Sequence, residues 1–217
     1  MILRKMQSLL ARLYDTAVEH DVEDFLVTDR DALRALLGEE PGDADEQVFV
    51  VEEAEGVRLG VFIDQAVLVR LRQRDPWERL DDANLSDYCT ALEGVSHFHY
   101  LLWCLGAARN VSLLELELQA EVDKYVSAVS LMTDQGNGRF PSALHARMFD
   151  AIDFLPGLDA ASRRRYEEAS RHAARYCRAL DERYLRARRL RPERWLAELR
   201  RFFRSGHPEK LRQLTVA

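Results

Sequence analysis

Apolar residues recur every three or four positions from Ile2 to His20 (Ile2, Leu3, Met6, Leu9, Leu10, Leu13, Tyr14, Ala17, Val18), which predicts an amphipathic helix with one face to bury. The pattern then changes. Asp24 to Val27 is short and reads as a strand. Thr28-Asp-Arg-Asp31 resembles a capping box that opens a short helix, with Gly38 in the position that closes one. After the acidic loop Glu39 to Glu46, the β-branched runs 47–51 and 57–63 flank Glu55-Gly56 and predict a hairpin. Together with Phe25 to Val27 they would make a small antiparallel sheet. Asp64 is placed to cap a helix that runs to about Arg74, where Asp75-Pro76 ends it.

From Leu85 to Arg109 the chain is apolar nearly all round, the mark of a buried helix. Leu85, Tyr88, Leu92, Val95, Leu102 and Trp103 share one broad side, and Glu93, His97, Tyr100 and Cys104 form a polar stripe on another. Such a stripe needs partners. Ser112-Leu-Leu-Glu115 is a capping box for a helix to about Met132. Its core face carries Leu114, Leu118, Val122, Tyr125, Val129 and Met132, which leaves Glu115, Gln119 and Asp123 on an outer face. A two- to three-residue turn at Arg109 to Val111 would set this helix antiparallel to the central one. Ser142 is placed to cap a short helix bearing His145, and Phe154 to Leu158 reads as a turn. A long helix follows from about Ala160 to Arg189, then one that starts at Pro192 and ends at Gly206, with a final turn or two from Pro208.

The expected architecture is therefore α+β and predominantly α-helical: a bundle around a buried central helix at about 85–107, with a small N-terminal antiparallel β-sheet lobe. Residues 1–75 form the lobe and 76–217 the bundle with its basic C-terminal helices, within one compact domain.

Charge alters this picture more than composition does. The net charge of −6 hides a gradient, because residues 1–161 hold 14 basic and 30 acidic side chains and residues 162–217 hold 17 and 7. The basic residues are arginines except Lys5, Lys124 and Lys210, a bias expected of a GC-rich bacterial genome. Three cysteines without Cys-x-x-Cys spacing argue against a disulfide framework or a zinc knuckle. No signal pattern opens the chain and no apolar run reaches the about 18 residues of a membrane span, so a cytoplasmic protein with no membrane partner is expected.

Two Glu-x-x-x-His pairs, Glu93/His97 and Glu168/His172, each put a carboxylate and an imidazole one turn apart, and Glu117/Glu121 repeats the geometry with two acids. Helix bundles hold metals with such inward groups, so Glu93, His97 and Glu121 with His145 or His172 form a candidate site for a divalent metal, or else a polar-core network. Cys104 with His97 and Glu93 supplies the residue types of a nucleophilic site, but an apolar helix interior is the wrong setting for a thiolate. His99 lies on the apolar face as a core histidine. The glycines of Asp134 to Arg139 follow no strand and precede no Gly-Lys-Ser/Thr, so they form a turn and no phosphate cradle.

The C-terminal arginines, among them Arg163, Arg164, Arg171, Arg175, Arg188 and Arg189, offer a surface for an anion or a partner. Three functions follow, in order. The first is a protein-interaction or regulatory module with a protein partner or a second copy of itself. The second is a metal-dependent helical enzyme, and the third is nucleic-acid binding through the arginines.

Overall fold

The computed structural model describes residues 1–17, 19–53, 56–150, 159–185 and 192–215. Helix α1 (Ile2–Tyr14) leads through a 3₁₀ turn (Val22–Phe25) into β1 (Leu26–Val27) and α2 (Arg30–Leu37). The hairpin β2 (Glu46–Glu53) and β3 (Gly56–Ile63) and helix α3 (Gln65–Gln73) complete the N-terminal part. The bundle consists of α4 (Leu85–Gly106), α5 (Leu113–Gln135), α6 (Leu144–Phe149), α7 (Ala160–Leu180), α8 (Pro192–Arg204) and α9 (His207–Thr215). The fold is α+β and predominantly helical, as expected.

The start and stop chemistry explains most boundaries. Asp64 accepts from the Ala66 N–H at 2.8 Å and Ser112 from the Glu115 N–H at 3.2 Å, and Gly38 ends α2 at φ 73°. Four helix ends differ from the sequence reading. Helix α1 stops at Tyr14, short of the expected His20, where Asp15 turns left-handed at φ 53°. The cap of α2 is Asp29, whose carboxylate accepts from the Ala32 N–H at 2.8 Å; Thr28 instead gives its carbonyl to the Gln65 N–H. Helix α6 starts after Ala143 without a side-chain cap, so Ser142 does not have the capping role. Helix α7 passes at Leu180 into a wider π turn (Asp181–Leu185), and the expected continuation to Arg189 lies outside the described residues, as does the turn at Phe154 to Leu158.

The sheet is mixed. Strands β2 and β3 pair antiparallel, but β1 joins the far edge of β3 in parallel, Leu26 opposite Val61 and Val27 opposite Phe62. The chain from β1 to β3 makes a crossover through α2 and β2, which permits the parallel pairing. One face of the sheet packs Phe49 and Phe62 on Leu33 of α2, and the other turns Val61 and Ile63 into the main core with α4. Gly94 allows that approach, since a Cβ there would lie 3.1 Å from Val61 Cγ1.

The main core runs without a break from Leu3 of α1 to Phe203 of α8. Helix α4 is buried from Ala91 to Tyr100 apart from a partly exposed Glu93, and α5 is buried on nearly every side. Glu115, Gln119 and Asp123, expected on an outer face, are 2%, 0% and 0% exposed. The C-terminal helices and α1 cover that face and satisfy its polar groups. Asp123 accepts from Tyr14 OH, from Gln119 Nε2 at 2.6 Å and from Ser96 Oγ at 2.6 Å. Lys210 of α9, fully buried, donates to Gln119 Oε1 and sits 4.5 Å from the Tyr100 ring centre and 4.6 Å from that of Phe202. A turn away, Glu115 accepts from Tyr100 OH at 2.6 Å and from Arg109. Burial pushes Asp123 up to about 6 against the pull of its three donors and Lys210, and pushes Lys210 well below the usual lysine range.

Arginines of α8 close the end of α1: Arg200 donates to Leu13 O at 3.2 Å and Arg204 to Tyr14 O at 3.0 Å. The basic C-terminal part is thus joined to the N-terminal helix through helix-end carbonyls. No helix among the described residues is long and apolar enough to cross a membrane.

Candidate metal centre

Helices α4 and α5 run antiparallel across a connection at residues 107–112, longer than the turn expected at Arg109 to Val111. This register sets Glu93 and His97 of α4 against Glu117, Glu121 and Lys124 of α5. Glu46, the first residue of β2, arrives from the sheet side, where its Oε2 lies over Gly94, and Arg165 arrives from α7. A Cβ on residue 94 would stand 2.9 Å from that oxygen, so the glycine gives Glu46 its room.

Ligand atoms of Glu93, His97 and Glu117 all lie within 4.8 Å of one another. His97 Nε2 is 3.4 Å from Glu117, and Nδ1 is 3.8 Å from Glu46. Lys124 Nζ bridges Glu93 Oε2 at 2.8 Å and Glu121 Oε1 at 2.7 Å, and Arg165 Nε is 3.6 Å from Glu117. Four carboxylates thus face two permanent cations and one imidazole. His97 Nε2, Glu46 Oε2 and Arg165 Nε are buried without a hydrogen-bond partner.

The electrostatics follow from this excess of acid. Burial alone would lower His97, but Glu117, Glu46 and Glu93 outweigh it and raise the imidazole to about 9. Burial, with Glu93 and Glu117 nearby, pushes Glu46 up to about 8 against the pull of His97 and Lys124. Burial also raises Glu121, whereas Glu93 is held below the usual carboxylate range because Lys124 and His97 overcome its desolvation.

Beside the cluster is an open groove of about 460 Å³ whose inner wall is Lys124 and Glu121, with Leu85, Cys89, Arg147 and Met148 around it. Cys89 stands one turn before Glu93 on α4.

Of the residues singled out from the sequence, Glu93, His97 and Glu121 belong to this cluster. His145 has other partners: its Nε2 is 2.8 Å from Ala174 O and its ring packs on Tyr125 and Phe149. His172 pairs with Glu168 at 3.5 Å on its own helix. His99 is fully buried with Nε2 2.8 Å from Thr16 Oγ1, the core role expected of it. Cys104 is buried and desolvation raises its thiol, which removes it as a nucleophile. Arg163, Arg164, Arg171 and Arg175 are exposed on α7, and Arg188 and Arg189 lie outside the described residues.

Sequence reasoning missed Glu46, Lys124 and Arg165 and left Glu117 out of the site. Glu117 and Lys124 were available from the helix register, since an antiparallel α5 that places Tyr100 beside Glu115 also places Glu93 beside Lys124. Glu46 carried no such signal. No protein-family model, no curated protein and no solved structure matches the chain.

Proposed function

We propose that this protein binds a divalent metal ion through Glu93, His97 and Glu117, with Glu46 behind the imidazole. The observation that carries the reading is the convergence of three ligand atoms within 4.8 Å in a buried cluster with more carboxylates than cations. Metal–ligand bonds of about 2.1 Å set donor atoms roughly 3.0 to 3.4 Å apart, so a modest contraction of these side chains closes the site. A cation on the Nε2 side leaves Nδ1 facing Glu46, an arrangement in which a carboxylate orients the metal-bound histidine. Lys124 and Arg165 do the same for the carboxylates of Glu93 and Glu117. Two carboxylates with one imidazole suit manganese, iron or zinc over softer ions.

The protein-interaction reading has less behind it. Leu105 and Leu113 are the large apolar side chains exposed beside the α4–α5 connection, and two leucines fall far short of the roughly 1,000 Å² of a stable interface. The nucleic-acid reading loses Arg200 and Arg204 to helix-end carbonyls and Arg165 to Glu117.

Elemental analysis of gently purified protein, followed by Mn²⁺, Fe²⁺ and Zn²⁺ titration of stripped protein, tests the proposal. One ion per chain is expected. At a hundredfold excess over Kd, binding contributes about 2.7 kcal/mol, which should raise Tm by roughly 5 to 10 °C. His97→Ala and Glu93→Gln should each abolish the effect. Stripped protein whose Tm responds to none of the three ions, or binding unaffected by His97→Ala, would overturn it.

A further inference from the structure

We infer that the groove beside the cluster is the ligand chamber of the metal centre, and that it takes a small organic anion: a carboxylate or phosphate monoester on a short apolar body. The inference rests on the metal reading above and adds the ligand class to it. At about 460 Å³ the groove is of small-molecule size, and Leu85, Cys89 and Met148 give it an apolar wall. Its inner wall is shared with the centre, because Lys124 Nζ holds Glu93 on one side and Glu121 on the other. A ligand in the groove therefore lies one side chain away from the metal ligand Glu93.

The charges decide the class. In the metal-free protein the groove is balanced, with Lys124 and Arg147 against Glu121 and Asp82. Arg147 pairs with Asp82, whose side chain is 73% exposed, and so exposed a pair yields readily to an acceptor that also buries apolar surface. A metal on Glu93 draws carboxylate charge away from Lys124, whose ammonium is then less compensated on the groove side. The loaded protein thus prefers an anion, and by linkage the anion tightens the metal.

Ligand-observed NMR on the full chain tests this, with benzoate and phenyl phosphate as probes and neutral benzamide and cationic benzylamine as controls. Mn²⁺ binding is read separately from water-proton relaxation. The Mn²⁺-loaded protein should bind benzoate or phenyl phosphate, or both, and should enhance relaxation of their ring protons, and whichever acid binds identifies the headgroup. Arg147→Gln should weaken the acids by roughly tenfold while leaving Mn²⁺ affinity unchanged. Ser86→Trp, which fills the groove from its rim, should do the same. Protein that takes up Mn²⁺ but ignores both acids, binds benzamide equally well, or binds the acids undiminished in Arg147→Gln overturns this inference alone. Protein that takes up no Mn²⁺ overturns the metal reading and this inference with it.

Discussion

Asp123 and Lys210 belong to one buried network, yet their removal should have very different consequences. Asp123 accepts from Tyr14, Ser96 and Gln119 and carries the negative charge facing Lys210. Asp123→Ala takes the acceptor from three buried donors and removes the charge that faces Lys210, which keeps its bond to Gln119. Each orphaned donor costs about 1 to 3 kcal/mol, and breaking a buried charge network costs about 3 to 5 kcal/mol, so the loss should be about 4 kcal/mol or more. That is a large part of the roughly 5 to 15 kcal/mol that holds a domain folded.

Lys210 has the opposite balance. Its desolvation exceeds the attraction of Asp123, which is why the ammonium is pushed well below the usual lysine range. Lys210→Met removes that cost, keeps a side chain of similar length between Tyr100 and Phe202, and gains sulfur–aromatic contact of about 0.3 to 1.5 kcal/mol. Against this stands the lost bond to Gln119, about 1 to 3 kcal/mol, so the net change should stay within about 1 kcal/mol. Urea unfolding distinguishes the two variants: with a slope near 2 kcal/mol/M, Asp123→Ala should lower the midpoint by about 2 M and Lys210→Met by less than about 0.5 M. Equal losses in both variants would refute the reasoning.

Gly94→Ala should gain about 1 kcal/mol of helix propensity and lose roughly 1 to 3 kcal/mol as its Cβ presses on Glu46 and Val61. A slightly less stable protein with weaker metal binding is expected by calorimetry, and a more stable one would contradict the packing. Asp29→Ala should cost about 1 kcal/mol and Thr28→Ala clearly less, since Asp29 caps α2; equal losses in thermal melts would restore Thr28 to that role. Burial holds His99 at about 4 against about 6.5 in the unfolded chain, so the folded protein binds fewer protons between those values. Its contribution is therefore complete above pH 6.5 and falls by up to about 3 kcal/mol towards pH 4. His99→Gln should flatten that part of the stability profile, and an unchanged slope would show that His99 does not cause it.

Helix ends were legible where a side chain or a backbone conformation fixes them, as at Asp64, Ser112, Gly38 and Pro192. Burial was legible where it is apolar and at His97 and His99, which sit within an apolar helix, but not on the polar side of α5. Hydrophobic periodicity gives α5 one inner face, yet Glu115, Gln119 and Asp123 are just as buried, because Tyr100, Arg109, Tyr14, Ser96 and Lys210 meet them there. The i, i+4 spacing of Glu168 and His172 says that the two can meet each other and says nothing of what faces them. Glu46 lay in an acidic stretch that read as loop, and its encounter with His97 depends on how the sheet packs on α4. The parallel placement of β1 likewise depends on a crossover that no local pattern records.

Ser96 and His97 are neighbours on α4 that enter two polar clusters of opposite character. The Asp123 cluster is closed, with three donors on its carboxylate. The Glu46–Glu93–His97–Glu117 cluster is open, with Glu46 Oε2 and His97 Nε2 unpartnered. Water could supply donors to those atoms but no charge, so the surplus of carboxylates must be met by protons or by a cation. Without metal it is met by protons: the carboxylates around His97 raise it to about 9 against its burial, and burial, with Glu93 and Glu117 nearby, raises Glu46 to about 8. A metal ion competes for the same sites and must expel at least the imidazole proton, because only the neutral ring can bind it. Below pH 9 the affinity should accordingly tighten by about tenfold for each pH unit per proton released, and the binding enthalpy should depend on the ionisation heat of the buffer. Isothermal titration in two buffers at pH 7 measures the proton count directly. One or more per ion is expected, and binding that releases none would mean that the ion sits elsewhere and that the open cluster is completed by protons alone.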